Sequence, residues 1–430
     1  MVTALDRYRE SSLRRRRRAE RANYRLDVQG LRALAILAVF AVHLVGWPRG
    51  GAVGIDVFFV ISGFFVTDML LRGAEPTGSV ALGRFWLDRA RRILPTAILV
   101  VLATFLASSE LLPGRNQETG VDALFSLAFL ANWHFASQGA DASAAADAAS
   151  PLLHYWPLAI EEQFYLVWPL LILAITAFVV RRAWSRDRWY GLVATISGLL
   201  MAASLAWATY ETAAAPHRAF FDTAARVWEL GAGALLATTV GTLATLRWWL
   251  RPVLSWAGAA LIVASLILID PAADGFPVPC ALLPVAGTIL VIAAGVGSEP
   301  LFQPLLRNRA ATYVGDLSYA LYLVHWPVIV LLATAMETNV YYYAAALSLS
   351  FGLAIACHHF VEEPLRQFNW DAVRQARQDM KHGLYHVERS TKIAAVAALV
   401  LITLSVISFA ARPDRFEPVQ HALPCCGHVE

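Results

Sequence analysis

The sequence predicts an all-α, polytopic membrane protein. Three observations carry that prediction: 58% of its 430 residues are hydrophobic, the mean hydropathy is +0.53, and charged residues make up only 16%, against about 25% in soluble domains. A soluble globular enzyme is excluded by this composition. The 35 Lys+Arg nearly balance 32 Asp+Glu, so the placement of charge is informative and its sum is not; no nucleic-acid partner is expected. The four cysteines, Cys280, Cys357, Cys425 and Cys426, lack metal-ligand or C-x-x-C spacing, so no metal site is expected.

In chain order, residues 1–25 contain an unbroken run from Arg14 to Arg18 and read as a basic cytoplasmic arm, too polar for a signal peptide. Apolar stretches of about 17–25 residues follow near 31–47, 53–71, 93–112, 121–138, 157–180, 189–210, 220–241, 252–270, 279–297, 312–335, 340–361 and 391–411, twelve candidates in all. Loop Lys and Arg should stay cytoplasmic. If all twelve cross, the cluster Arg181 to Arg188 and most later basic loops fall outside. If 121–138 is instead re-entrant or interfacial, every basic cluster moves inside. Asp122, Asn132, Trp133 and His134 within that stretch suit an interface, so eleven spans are expected, N-terminus inside and C-terminus outside. The eleventh, 391–411, is set apart by the polar linker 367–390 and reads as an appended helix; 412–430 is an extracytoplasmic tail too short to fold alone. No internal repeat divides the first ten.

Ionisable residues inside a span are functional candidates. Arg32 and His43 lie eleven residues apart on the first span, which is almost three turns and roughly 16 Å of rise, so they share a face at opposite depths. The plain alternative is an interfacial anchor and a packed histidine. Counted from the outer ends of their spans, Asp56, Glu161, Glu162 and Arg226 fall within about two turns, at the depth of His43. A carboxylate beside His43 would raise its basicity for general-base work; the alternative is a buried ion pair with Arg226. On the inner side Arg84, Arg89, Arg91 and Arg92 crowd one loop near Arg32 and Arg72, which suits a polyanionic ligand or simply the positive-inside bias. No phosphate-binding glycine motif is present. His325 reads as a packed histidine that competes with His43 for the role of base, and Glu362 with Glu363 as helix-end caps. Trp47, Trp156, Trp189 and Trp326 read as an interfacial belt.

Several motifs in one order resemble a known family. RLDVQGLRALAILAVFAVHLVGW at 25–47 is similar to the first helix of acyltransferase family 3, with its Arg-x10-His element at Arg32 and His43. GIDVFFVISGFFVTDMLLR resembles its second helix, and RARRILP its Arg-x-x-Arg element at Arg89 and Arg92; PLAIEEQFYLVWP, RVWELGAGALLA, GDLSYALYLVHWP and VEEPLR extend the likeness to residue 366. Asp88 departs from the pattern, standing where the family has a basic residue. The resemblance implies a ten-helix membrane acyltransferase domain over 26–366, a cytoplasmic acyl-CoA donor, acetyl-CoA foremost, and His43 as catalytic histidine facing an extracytoplasmic carbohydrate or glycolipid acceptor. In family members with an eleventh helix an SGNH hydrolase-like domain often follows; 412–430, without a serine, does not hold one.

The expected function is therefore transfer of an acyl group across the membrane. Arg32, Arg89, Arg91 and Arg92 would hold the nucleotide end of acyl-CoA. His43 would act as base or acyl carrier, with Glu161 or Glu162 orienting it, Asp56 near the acceptor and Arg226 or backbone donors stabilising the oxyanion. The rival is a transporter of an intact acylated lipid or sugar, with the buried charges as a proton relay. Such proteins commonly carry inverted repeats, which are not found.

Overall fold

A computed structural model describes residues 24–75, 78–139, 149–271, 273, 275–366 and 389–410. The arm at 1–23, the linker at 367–388 and the tail at 412–430 lie outside the described residues. Among those described there are helices and turns but no strands.

Among the described residues eleven longer helices make up the fold: α1 Leu26–Val45, α2 Gly54–Ala74, α3 Leu82–Leu111, α4 Trp156–Arg181, α5 Arg186–Ala214, α6 Thr223–Thr238, α7 Leu250–Leu268, α8 Leu282–Ala294, α9 Arg309–Ala335, α10 Val340–Cys357 and α11 Arg389–Ala410. Nine of these, some extended by flanking turns, are long and apolar enough to cross a membrane; α6 and α8 are shorter. Their ends follow from local chemistry. Asp222, Asn308 and Asn339 cap α6, α9 and α10 by accepting hydrogen bonds from first-turn N–H groups. Gly46, at φ 70°, closes α1 in the left-handed conformation that favours glycine. The 121–138 stretch forms two short helices, Asn116–Leu127 and Ala131–Ser137, of roughly 18 and 10 Å, well short of the ~30 Å hydrocarbon core.

Two close helix crossings set the architecture. At Gly63 of α2 a Cβ would stand 1.9 Å from the carbonyl oxygen of Leu230, and at Gly233 of α6 one would stand 2.1 Å from that of Val60, so the two backbones touch through glycine. At Gly315 of α9 a Cβ would meet the Gln29 carbonyl oxygen at 2.1 Å. This contact lets α1 and α9 lie side by side and run in the same direction, because Arg32 meets Ser318 and, farther along both chains, His43 meets His325. α11 packs on α10, where Leu401 and Ile402 meet Gly352. Below, the face at which α1 begins is called the basic face and its opposite the far face.

Three expectations change. The arginines 84 to 92 lie within the first turns of α3, which begins at Leu82 and not near 93. Trp47 is 69% exposed, whereas Trp156, Trp189 and Trp326 are buried and form no belt. The third change concerns depth. His154 Nε2–H donates to the Leu323 carbonyl at 2.9 Å and Trp326 Nε1–H to that of Ser150 at 2.9 Å, contacts made near the middle of α9. The segment 149–155 therefore dips into the bundle from the far face, and α4 starts about halfway through it.

Candidate active site

A cavity of about 1200 Å³ opens among α1, α2, α3, α4 and α9, larger than the ~300–1,000 Å³ of ordinary ligand pockets. Six arginines line it, Arg25, Arg32, Arg72, Arg89, Arg92 and Arg366, beside six carboxylates. Equal numbers do not mean neutralised arginines. Most of the acids have local partners: Asp68 with Arg72, Glu299 with Arg307, Glu362 with His358 and Glu363 with His359. Asp316 accepts from the Tyr24 hydroxyl, and burial together with that bond raises the Tyr24 pKa. Arg25 is paired with Asp27 at 2.6 Å. Among the described residues, Arg32, Arg92 and Arg366 line the cavity without a carboxylate in ion-pair range; Arg32 donates to Ser318 Oγ at 2.8 Å. Arg91 is exposed and is not among the lining residues.

Glu161 and Glu162 belong to this cavity side and not beside His43, which corrects the sequence expectation. Ser62 Oγ donates to Glu161 at 2.7 Å, and Glu162 stands 4.0 Å from Arg89, whose guanidinium lies 3.7 Å over the Tyr165 ring. The physical reason is the dip of 149–155. Because α4 starts halfway through the bundle, its sixth and seventh residues fall in the basic half.

On the far side of the lining residue Tyr322 stands a group of three histidines. His43 Nδ1 lies 2.9 Å from His325 Nε2, the two rings are within 9° of parallel, and Trp326 packs against His43 at 4.7 Å between ring centres. His154 lies 5.9 Å from His325 between ring centres, its Nδ1 buried without a hydrogen-bond partner. The partner of His43 is thus an imidazole that sequence reasoning set down as packing, together with a histidine it did not single out. Spacing holds no signal for either, since they arrive on α9 and on the dipping turn.

Asp56 and Arg226 meet each other rather than His43. Arg226 bonds Asp56 at 3.0 Å and lies 3.2 Å from Glu229, all three at most 1% exposed. Phe59, Trp156, Phe220 and Phe276 surround its guanidinium at 5.2–5.9 Å. A guanidinium so engaged has two carboxylates to neutralise within one buried ion cluster. The sequence missed Glu229, three residues on from Arg226 and therefore on the same helix face.

A family model described as the acyltransferase domain matches residues 24–359. The chain belongs to acyltransferase family 3. It is 27% identical over 391 residues to the peptidoglycan O-acetyltransferase OatA of Listeria monocytogenes, covering 87% of this chain and 61% of that one. The O-acetyltransferase OatA of Staphylococcus aureus is 29% identical over 373 residues, 81% of this chain and 58% of its own. YrhL of Bacillus subtilis is 30% identical over 364 residues, 79% and 54%. The chain thus spans between 54% and 61% of the length of these relatives. No solved structure matches.

Proposed function

We propose that the protein is a membrane O-acyltransferase that takes an acyl group from acyl-CoA at its basic, cytoplasmic face and delivers it to a carbohydrate hydroxyl presented at the far face. The acetyl group and a cell-wall glycan are favoured by the names of its relatives. One observation carries the reading: a single helix, α1, places Arg32 in the cavity and His43 in the histidine group, so the charged end of a donor and the reacting centre sit at two depths of one rigid rod.

The cavity has the volume and the uncommitted guanidinium groups that a phosphate-rich donor needs. Arg32, Arg92 and Arg366 would pair with its phosphates, and Arg89 would share its charge between donor and Glu162. Tyr322 lines the cavity one helical turn before His325, so a slender arm laid along α9 approaches the histidines. His43 then takes the proton of the acceptor hydroxyl as that oxygen attacks the thioester carbonyl. The C–S bond breaks, and the departing thiolate takes the proton back from the imidazolium. Family membership favours this over transport of an intact substrate.

Transfer of label from acetyl-CoA to glycan by protein in liposomes tests the proposal. His43→Ala should abolish transfer; undiminished transfer would remove His43 from the chemistry. Movement of an intact substrate with no acyl-CoA consumed would establish a transporter.

A further inference from the structure

A neutral imidazole has one N–H and one lone pair, and the partner of the first nitrogen decides the duty of the second. His325 Nδ1 lies 2.7 Å from the Tyr322 carbonyl oxygen and 3.1 Å from that of Leu321. Carbonyl oxygens only accept, so the hydrogen of His325 is on Nδ1 and its Nε2 is a lone pair. His43 Nδ1 faces that lone pair at 2.9 Å and therefore carries hydrogen, leaving His43 Nε2 bare. The near-parallel rings, 9° apart, suit an in-plane N–H···N bond. Among the described residues no carboxylate lies in ion-pair range of either ring, so nothing else competes for the assignment.

We propose that His325 is the positioning residue of the active site, which holds His43 in the Nδ1–H form and so presents Nε2 as the base. This rests on the reading of His43 as base. The task is more often given to a carboxylate or a backbone carbonyl; here an imidazole performs it, locked in turn by the carbonyls of its own helix. Because those carbonyls belong to residues three and four before His325 in α9, the lock is set as soon as α9 folds, and α1 docks His43 onto it. His325 is fully buried, and the edge of Phe40 at 5.9 Å limits rotation of its ring. When Nε2 takes the acceptor proton, the Nδ1–H of His43 still points at a lone pair, so the imidazolium keeps a hydrogen-bonded outlet for its charge. The proton leaves again from Nε2 to the thiolate, and the pair returns to its starting form.

Solid-state nitrogen NMR on the full chain in lipid, with labelled histidine, reads the tautomer directly; the His43 signals are those lost in His43→Gln. We expect a protonated Nδ1 and a bare Nε2 in the wild type. His325→Leu should release His43 to the Nε2–H form that free histidine favours and lower kcat by about 100-fold or more at unchanged KM for the donor. His325→Gln, which keeps an acceptor oxygen, should retain more of the activity. A wild-type His43 in the Nε2–H form would overturn the proposal even if no His325 variant folds, as would an unchanged kcat in His325→Leu. If His43→Ala were fully active while the wild type showed the Nδ1–H form, the base would be wrong and the hydrogen-bond assignment right.

Discussion

Two sets of arginines divide the molecule. In the far half Arg226 is held between two carboxylates and ringed by aromatic side chains. In the basic half Arg32 and Arg92 line a large cavity and have no carboxylate in range among the described residues. Both sets lie within hydrophobic helices, where charge is expensive and functional by default. The contrast teaches that an intramembrane charge marks a ligand site when no counter-charge stands in range; a charge-compensated one holds helices together.

The largest effect should come from breaking the charge-compensated cluster. Arg226→Met leaves Asp56 and Glu229 buried without a counter-charge, a loss of about 3–5 kcal/mol, seen as a collapse of folded yield and melting temperature. Replacing all three, with Asp56→Leu and Glu229→Leu added, should restore most of that stability. A triple variant that is stable but inactive would show that the cluster takes part in chemistry after all. On the other side Arg92→Ala should do the reverse: coenzyme A affinity falls roughly 10- to 150-fold, the equivalent of about 1.5–3 kcal/mol, while melting is unchanged. Calorimetric titration with coenzyme A measures it, and an undiminished affinity would take the donor out of this cavity.

The remaining tests are finer. Gly233→Ala pushes a methyl group into the Val60 carbonyl and should destabilise the α2–α6 crossing by about 1–3 kcal/mol, read as a lower melting temperature with coenzyme A affinity retained. Lost donor affinity in a folded Gly233→Ala would mean that the two halves are coupled. The smallest effect is expected for Glu162→Gln, which frees Arg89 from a carboxylate 4.0 Å away. Donor affinity should tighten by up to about fivefold, since such a pair is worth about 0.2–1 kcal/mol. A loss as large as that of Arg92→Ala would show Glu162 binding the donor itself.

Much of the site is legible in the sequence. Arg32 and His43 share a helix, so their eleven-residue spacing alone gave their common face and separation. The basic cluster at Arg89 and Arg92 was legible for the same reason, although Arg91, on another face of α3, was not separable from it. Glu161 and Glu162 were placed at the wrong depth because counting from the first apolar residue assumes a helix that starts at the membrane surface. His325 was visible and undervalued, and His154 was passed over, because neither has a neighbour in the sequence that hints at His43.

By itself, then, the sequence determined the class of protein, the order of its helices and which residues each helix carries on one face, because hydropathy and a 3.6-residue period act locally along the chain. Tertiary structure alone decided which charges are satisfied and which nitrogen of His43 is bare. Those depend on backbones that meet through Gly63, Gly233 and Gly315 and on a turn that enters the bundle halfway. Such contacts join residues some 170 to 290 positions apart, and no local periodicity encodes them.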